Sequence, residues 1–186
     1  MILKRLIDIA GAGLALLLLL PVLVCVGVAV RMDSPGPALF RQTRVGRDRV
    51  EFRIYKFRSM VRDAPRLGGH STAVGDPRIT RVGSFIRRTS LDELPQLVNV
   101  LLGDMSIIGP RPDVPAQRAE YNEQQWRERH MVRPGITGLA QATLRSDATP
   151  AQRLDLDLRY VRERSLWLDI KIVFDTIRQL FRSGSF

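Results

Sequence analysis

The sequence predicts a mainly helical α/β protein with one short β-hairpin, attached to a membrane by its N-terminal segment. Three patterns carry this prediction: an uncharged apolar run at residues 9–30, an alternation of apolar and polar side chains at residues 50–57, and helical periodicity in several later stretches. The chain has 186 residues, enough for one domain with its own core. We therefore expect a membrane segment at residues 1–31 and one domain at residues 32–186 that is large enough to be a catalytic domain.

The N-terminal segment is long enough to cross a bilayer. Residues 9–30 carry no charge, and a helix of that length would reach about 33 Å, the thickness of a hydrocarbon core. No small-x-small cleavage site follows the run, which argues against a secretory signal peptide. A straight transmembrane anchor and a re-entrant helix are both compatible with these features.

Two features favour the re-entrant helix. Pro21 lies near the middle of the apolar run, where a proline removes a backbone hydrogen bond and can break or bend the helix. Basic residues also flank both ends, with Lys4 and Arg5 before the run and Arg31 after it. Because positive charges favour the cytoplasmic side, a helix that bends and returns satisfies both ends.

A β-hairpin is predicted after the rigid turn at residues 34–37 (Ser-Pro-Gly-Pro). Phe52 and Ile54 alternate with polar neighbours, as in a half-buried strand, and residues 39–45 can pair with this strand across residues 46–48. Residues 62–78 are rich in glycine and proline and poor in apolar side chains, which predicts a mobile loop.

Helices separated by proline-containing loops are predicted for the rest of the chain. The helices are residues 79–88, residues 94–102 ending at Gly103, residues 113–130, a helix that starts at Thr149-Pro150, and a C-terminal helix. Residues 109–112 (Gly-Pro-Arg-Pro) and 133–138 (Arg-Pro-Gly-Ile-Thr-Gly) form stiff loops that each present one arginine. The apolar stripe of the last helix is more typical of a core than of a membrane surface, although basic residues beside it fit an amphipathic interfacial helix; it comprises Ile170, Val173, Phe174, Ile177, Leu180 and Phe181.

The charge balance points to an anionic partner. The net charge is +10, and because Lys4, Arg5 and Arg31 face only Asp8 in residues 1–31, +8 belongs to the remainder. Such a charge suits a phosphate-rich ligand or an anionic membrane surface. The single cysteine excludes an intrachain disulfide, two isolated histidines make a zinc site improbable, and no P-loop or dinucleotide-binding glycine motif occurs.

Asp92 and Glu93 are adjacent acids that follow Arg87 and Arg88. One interpretation is helix capping, because Thr89 and Ser90 precede the acids at capping-box spacing and acids favour the first turn of a helix. The other is phosphate chemistry: an ionised carboxylate can attack phosphorus or hold Mg²⁺, and arginines bind phosphate in a bidentate manner. These residues alone leave both interpretations open.

Six motifs in order cover nearly the whole chain: residues 56–60 (Lys-Phe-Arg-Ser-Met), 90–97 (Ser-Leu-Asp-Glu-Leu-Pro-Gln-Leu), 99–101 (Asn-Val-Leu), 103–106 (Gly-Asp-Met-Ser), 109–112 (Gly-Pro-Arg-Pro) and 132–138 (Val-Arg-Pro-Gly-Ile-Thr-Gly). In these motifs the sequence resembles the bacterial sugar transferases, the small monotopic phosphoglycosyl transferase family. The resemblance implies a monotopic enzyme on the cytoplasmic face of the bacterial inner membrane, with a re-entrant helix broken near its middle at Pro21.

The implied reaction transfers a sugar 1-phosphate from a nucleotide sugar, usually a UDP-sugar, to polyprenyl (undecaprenyl) phosphate and releases a nucleoside monophosphate. It would be the first membrane step of a bacterial glycoconjugate pathway. By resemblance Asp92 is the nucleophile that forms a phosphosugar-aspartate, and Glu93 is a metal ligand or a base. Mg²⁺ is the implied cofactor, held by Asp92 and Glu93.

The resemblance also implies a set of substrate-binding residues: Lys56, Arg58, Arg87, Arg88, Pro110, Arg111, Pro112, Arg133 and Arg145. Residues 142–145 (Ala-Thr-Leu-Arg) depart from the Val-Asn-Gly-Arg of many relatives, which keeps the arginine but not the turn before it. The implied partners are the nucleotide-sugar donor, the polyprenyl phosphate and the membrane, with a homodimer left open and no nucleic acid. The alternatives are a non-catalytic membrane-tethered binding protein for anionic lipid or nucleic acid, and a polyprenyl-phosphate phosphatase.

Overall fold

The computed structural model describes residues 2–67, 75–144 and 148–182, which form a mainly helical fold with two two-stranded β-sheets. The strands are β1 (Leu39–Val45), β2 (Glu51–Phe57), β3 (Ser106–Ile108) and β4 (Gly135–Thr137). The α-helices are α1 (Ile2–Asp33), α2 (Ala64–Leu67), α3 (Arg81–Arg88), α4 (Gln96–Leu102), α5 (Glu123–Arg129), α6 (Leu139–Thr143), α7 (Pro150–Glu163) and α8 (Leu166–Arg182). The predicted mainly helical class with a short hairpin is confirmed.

Helix α1 is one uninterrupted helix that includes Pro21. Within the described part of the chain it is the one helix whose length and apolar composition suffice to cross a membrane. Only its two end regions are well packed, since Asp8 and Ala12 are buried near one end and Val26 and Val30 near the other. The predicted break at Pro21 does not interrupt the helix, so the re-entrant form stays a prediction.

The N-terminal end of α1 is fixed to the body by polar contacts. The buried Asp8 carboxylate accepts hydrogen bonds from Ser106 Oγ (2.9 Å) and from the Ile107 amide (3.1 Å). Lys4 Nζ lies 2.8 Å from Asp169 Oδ2, which ties α1 to α8. A buried carboxylate with several donors of this kind fixes the position of the helix, because leaving those groups unpaired would be costly.

The C-terminal end of α1 is fixed by Arg58, which follows strand β2. The guanidinium donates to the carbonyl oxygens of Val30 (3.1 Å), Ser34 (2.7 Å) and Pro35 (2.8 Å). These carbonyls belong to the end of the helix and the turn after it, where backbone acceptors lack partners within the helix. Both ends of α1 therefore contact the same body.

The predicted hairpin is confirmed. Strands β1 and β2 pair in antiparallel register from Leu39 opposite Phe57 to Val45 opposite Glu51. On the predicted apolar face of β2, Ile54 is buried and Phe52 is half-buried, whereas Phe57, which is also buried, lies on the opposite face of the strand. The hairpin joins a core that includes Ala12 of α1 and Val100 of α4.

The sequence predicts a loop at residues 133–138, but the structure contains a strand there. Strand β4 pairs in parallel with β3, with Ser106 opposite Gly135 and Ile108 opposite Thr137. The backbones approach so closely that a Cβ at Gly135 would overlap the Gly109 nitrogen. Strands of three residues are too short to show an alternating pattern, which explains the missed prediction.

Several helix boundaries follow local signals. Helix α4 ends at Leu102, just before the C-cap residue Gly103, whose φ of 97° is left-handed, and Thr149 caps α7 by accepting from the Gln152 backbone amide. The single helix predicted for residues 113–130 is wrong: a 3₁₀ helix (Pro115–Glu120) precedes α5, which Asn122 caps. The short helix α2 lies inside the predicted mobile loop, of which residues 68–74 are outside the described residues.

Helix α8 does not bury its apolar stripe. Ile172, which is not part of the stripe, is 1% exposed and packs with Tyr160 of α7. Ile170 and Phe174 are 60% and 67% exposed. The core interpretation of this stripe is therefore wrong at these positions, whereas Leu180 and Phe181 have side chains outside the described set. The exposed apolar side chains fit the interfacial alternative.

Candidate active site

A large cleft opens between the hairpin, the turn that carries Asp92, the Arg111 loop and helices α6 to α8. Its volume of about 2280 Å³ exceeds the 300–1,000 Å³ of a usual small-molecule pocket. Of the residues predicted for the site, the structure brings these to the cleft: Lys56, Arg58, Arg87, Asp92, Glu93, Arg111 and Pro112. Arg88, Pro110 and Arg133 do not line it, and Arg145 lies outside the described residues.

The turn that carries the acids is built by Ser90, whose backbone is left-handed at φ 56°. A non-glycine residue in this region costs about 1 to 3 kcal/mol, so the surrounding contacts impose it. The Ser90 side chain makes no capping hydrogen bond, and Thr89 Oγ1 donates back to the Phe85 carbonyl. The helix-capping interpretation is therefore wrong. Instead the acids form a 3₁₀ turn (Leu91–Glu93) that directs Asp92 into the interior.

Glu93 is held by two cations. Lys56 Nζ lies 2.8 Å and Arg111 Nη2 lies 2.6 Å from its Oε1. Burial disfavours the charged carboxylate, but the charges of Arg111 and Lys56 outweigh burial and lower the pKa of Glu93 to about 2. Glu93 is therefore a permanent anion that orients the two cations at the floor of the cleft.

Asp92 has the opposite environment. No hydrogen bond or ion pair to its carboxylate occurs within residues 2–67, 75–144 and 148–182, although the residue is only 9% exposed. Burial, helped by the negative charge of Glu93 and opposed by Lys56 and Arg87, raises the pKa of Asp92 to about 6. A pair of carboxyl groups whose pKa values are driven apart is typical of a catalytic site. The Asp92 oxygens are available to a ligand.

Arg44 is a site residue that sequence reasoning missed. It lines the cleft from β1, donates to the Pro112 carbonyl (2.9 Å) and to Gln42 Oε1 (2.7 Å), and its buried Nε has no partner among the described residues. Burial and the nearby Arg111 charge lower its pKa to about 10. The sequence did contain a signal for Arg44. Residues 40, 42 and 44 alternate onto one face of β1, and because Phe40 pairs with Lys56, this is the face that also carries Lys56.

The Arg111 loop rests on a buried ion network that the sequence did not reveal. Arg129 of α5 is 6% exposed and donates to the Arg111 carbonyl (2.9 Å). It also pairs with Asp157 of α7 (2.7 Å) and with Asp113. Because the network joins three separate segments, the loop at residues 111–113, α5 and α7, no spacing rule could have identified it. The network fixes the loop from which the Arg111 side chain reaches Glu93.

Asn99 connects α4, the helix that follows the Asp92 turn, to β2, the strand that carries Lys56. It is fully buried on α4, where its Oδ1 accepts from the Tyr55 amide (2.9 Å) and its Nδ2 donates to the Arg53 carbonyl (2.8 Å). These are backbone groups on the edge of β2 that β1 does not cover. The side chain thus acts as a neighbouring strand would and sets the position of Lys56 on β2 relative to Glu93.

Two predicted arginines have structural partners. Arg58 lines the cleft, but its terminal nitrogens hold the end of α1. Arg133 Nε donates to the Gly103 carbonyl (2.8 Å), and Arg5 donates to the Val100 carbonyl (2.7 Å), so both cap the carboxyl end of α4. The β3–β4 pairing carries Arg133 away from the acids, which is why the structure does not bring this predicted phosphate ligand to the cleft.

The acidic site fits a metal only with help from a substrate. The described residues contain no group of three or more histidine, cysteine or acidic side chains that could hold an ion. Mg²⁺ is usually bound by one or two carboxylates together with phosphate oxygens and water. The unpaired Asp92 carboxylate suits that arrangement, whereas Glu93 Oε1 already faces Lys56 and Arg111.

The sequence matches the family described as "Bacterial sugar transferase" over residues 1–183. It is 49% identical to the UDP-glucose:undecaprenyl-phosphate glucose-1-phosphate transferase of Escherichia coli (strain K12), with 95% of this chain and 39% of that protein aligned. It is 43% identical to the UDP-N-acetylgalactosamine-undecaprenyl-phosphate N-acetylgalactosaminephosphotransferase of Aeromonas hydrophila, with 95% of this chain and 43% of that protein aligned.

A third relative, the exopolysaccharide production protein PSS of Rhizobium leguminosarum bv. phaseoli, is 46% identical, with 95% of this chain and 94% of that protein aligned. The chain thus spans about two fifths of the length of the first two relatives and nearly all of the third. The match over nearly the whole chain, together with the clustered acids and cations of the cleft, shows that the chain belongs to the bacterial sugar transferase family.

Proposed function

We propose that this chain is a phosphoglycosyl transferase that moves a sugar 1-phosphate from a nucleotide sugar to a polyprenyl phosphate and releases a nucleoside monophosphate. The observation that carries the proposal is the buried Asp92 carboxylate, which has no partner in the described part of the chain, beside the ion pairs of Glu93 with Lys56 and Arg111. The E. coli and Aeromonas relatives support it, since their names specify UDP-sugars and undecaprenyl phosphate. The Rhizobium relative is named as an exopolysaccharide production protein, which supports a role in a glycoconjugate pathway, and we propose the first membrane step of such a pathway.

The proposed chemistry has two steps. An Asp92 carboxylate oxygen attacks the sugar-side phosphorus, the bond from this phosphorus to the bridging oxygen of the diphosphate breaks, and the nucleoside monophosphate leaves with that oxygen. An oxygen of the polyprenyl phosphate then attacks the same phosphorus, which forms the lipid diphosphate sugar and regenerates the carboxylate. Lys56 and Arg111 supply positive charge where the phosphates lie, and charge stabilisation dominates phosphoryl transfer.

Mg²⁺ is the proposed cofactor. Asp92, with Glu93 beside it, would hold the ion together with the diphosphate of the donor. When bound, the ion would supply charge neutralisation on the diphosphate. The unpaired Asp92 carboxylate supports this assignment more strongly than Glu93 does, because Glu93 already has two cationic partners.

The proposed location is the cytoplasmic face of the inner membrane, with α1 entering the bilayer and returning. The support is that Lys4 and Asp8 near one end and Val30 near the other all contact the same body. A straight spanning helix would separate its ends by the full membrane thickness. The exposed apolar side chains of α8, including Trp167 at 76%, fit contact with the same membrane surface.

The decisive test is product release by the purified full chain in detergent with polyprenyl phosphate, Mg²⁺ and a panel of sugar nucleotides. We expect nucleoside monophosphate with at least one donor, and we expect Asp92→Asn to lower turnover by about a thousandfold or more while the protein stays folded. Asp155→Asn, at an exposed site on α7, is the matched control. Release of inorganic phosphate would indicate a phosphatase, and full activity of Asp92→Asn would contradict the proposed nucleophile.

A further inference from the structure

The wall of the cleft formed by α6 and α7 contains polar groups that lack partners. Both amide atoms of Gln141 are buried from solvent and make no hydrogen bond with any described residue. Asp157 is 3% exposed; Arg129 occupies its Oδ2, while its buried Oδ1 is likewise unpaired within the described ranges. Buried polar groups in folded proteins are nearly always paired, so such a group needs an explanation.

The backbone of this wall is well fixed. Leu139 and Ala142 of α6 pack against a core cluster that contains Tyr160 and Val161 of α7. The side of α7 that lines the cleft is a single helical face with spacing i, i+3, i+4 and i+7, made of Pro150, Arg153, Leu154 and Asp157. Because the wall is anchored in this way, the unpaired groups are held in position before a ligand arrives.

The chemistry of the wall differs from that of the Asp92 end of the cleft. Lys56 and Arg111 lie at the Asp92 end of the cleft and suit phosphate groups. The negative carboxylate of Asp157 would repel phosphate groups. A carboxylate oxygen accepts hydrogen bonds from hydroxyl groups, and an amide offers one acceptor and two donors. The Gln141 amide and the Asp157 Oδ1 atom together therefore suit a neutral group with both donors and acceptors.

We propose that Gln141 and Asp157 form the subsite that binds the neutral, hydroxyl-bearing part of the donor, with Gln141 as a specificity-determining residue. This inference rests on the proposed function and deepens it, because a nucleotide sugar has such groups at both ends: the nucleoside and the transferred sugar. Either source supplies the same hydrogen-bonding chemistry.

Gln141→Leu tests the proposal, because it removes both amide atoms at similar volume. In the ligand-free protein this change should leave the melting temperature unchanged or higher, since it eliminates unpaired buried polar groups. If Gln141 instead stabilised the fold through its amide, Gln141→Leu would lower the melting temperature. Gln124→Leu, at an exposed position of α5, is the matched control.

Binding is measured by titration of the full chain in detergent with UMP and, separately, with glucose 1-phosphate. We expect Gln141→Leu to weaken the binding of one of the two by about tenfold or more. Weaker UMP binding identifies the nucleoside as the occupant, and weaker glucose 1-phosphate binding identifies the sugar. Unchanged binding of both, or binding of neither by the wild type, overturns the subsite; absence of product release by the wild type overturns the proposed function separately.

Discussion

Two neighbouring carboxyl groups in this protein have very different electrostatic environments. Glu93 faces Lys56 and Arg111, and their charges keep it ionised with a pKa of about 2. Asp92 is buried without a described partner, and its pKa rises to about 6. Side chains at adjacent positions of a 3₁₀ turn point in different directions. Glu93 can therefore face its cations while the neighbouring Asp92 carboxylate stays available to a ligand. This division supports unequal roles for the two acids.

Removing the charge of Glu93 should destabilise the fold. Glu93→Gln leaves Lys56, whose side chain is 15% exposed, without its anion, and loss of one partner of a buried pair costs about 3 kcal/mol. Glu163→Gln is the control, because its pair with Arg159 is exposed and should contribute less than about 1 kcal/mol. Urea unfolding of both variants in detergent gives the comparison. Equal losses would contradict the assignment of Glu93 as an anchor for the cations.

The donor half-reaction should depend on pH through Asp92. The neutral carboxyl group cannot attack phosphorus, so without Mg²⁺ the rate should fall as pH decreases through about 6. Mg²⁺ favours the charged form and should move the midpoint to lower pH. Glu93→Gln removes the neighbouring negative charge that raises the pKa of Asp92, so it should also move the midpoint to lower pH. Nucleoside monophosphate release at single turnover measures the midpoint; a midpoint that neither change moves would contradict the assignment.

The two carboxyl groups also have opposite effects on stability as pH changes. The lowered pKa of Glu93 contributes stability that is present above its ordinary value of 4.5 and is lost as pH falls toward 2. The raised pKa of Asp92 contributes stability at low pH that is lost as pH rises from its ordinary value of 3.8 through about 6.

At the scale of elements, the site depends on how the hairpin is joined to α4. Asn99 makes this connection through hydrogen bonds to the backbone of β2 at Arg53 and Tyr55. A two-stranded ribbon is only marginally stable alone, so its outer edge needs a partner. The same helix begins just after the Asp92 turn and ends just before Gly103, so one side chain links Lys56 to the acids.

Asn99→Ala should lower the free energy of unfolding by about 2 to 4 kcal/mol, because it leaves the Tyr55 amide and the Arg53 carbonyl of β2 without the partner that the fully buried Asn99 side chain supplies. Asn122→Ala, which removes an exposed helix cap on α5, should cost about 1 kcal/mol. Thermal and urea unfolding provide the measurement. If Asn99→Ala is no worse than the cap variant, the hairpin does not depend on this amide.

The elements that sequence reasoning found are those with local signals. The hairpin follows from alternation, the end of α4 from Gly103 and the start of α7 from Thr149-Pro150. Short strands β3 and β4 and the break before α5 were missed, because pairing and packing with distant segments determine them. The apolar stripe of α8 is more typical of a core in the sequence, but Ile170 and Phe174 are exposed in the structure, which fits the interfacial alternative.

At the scale of the whole molecule, the relation of α1 to the body bears on the proposed membrane topology. The ends of α1 contact the body, while its middle exposes large apolar side chains such as Leu17 and Leu18, at 70% and 68%. Apolar surface of this extent is favourable only in contact with lipid or protein. The middle of the helix is therefore the part that suits the bilayer.

Cysteine labelling can establish the topology. In a Cys25→Ser background, we expect Leu3→Cys and Met32→Cys, both at exposed positions, to react with an impermeant thiol reagent from the cytoplasmic side only. Leu18→Cys should be protected by lipid and serves as the control. Reaction of Leu3→Cys and Met32→Cys from opposite sides would contradict the re-entrant helix and establish a span.

The sequence by itself determined the long apolar N-terminal helix, the hairpin, several helix ends, the acidic pair and the family, because local composition, periodicity and motifs specify all of these. Only the tertiary structure decided that Glu93 is paired while Asp92 has no partner among the described residues, that Arg133 caps α4, and that Arg44, Arg129 and Gln141 belong to the cleft or its support. The physical reason is that burial and charge pairing act through space. Lys56 and Glu93 form an ion pair although they are 37 positions apart in the chain, and no sequence spacing indicates partners of this kind.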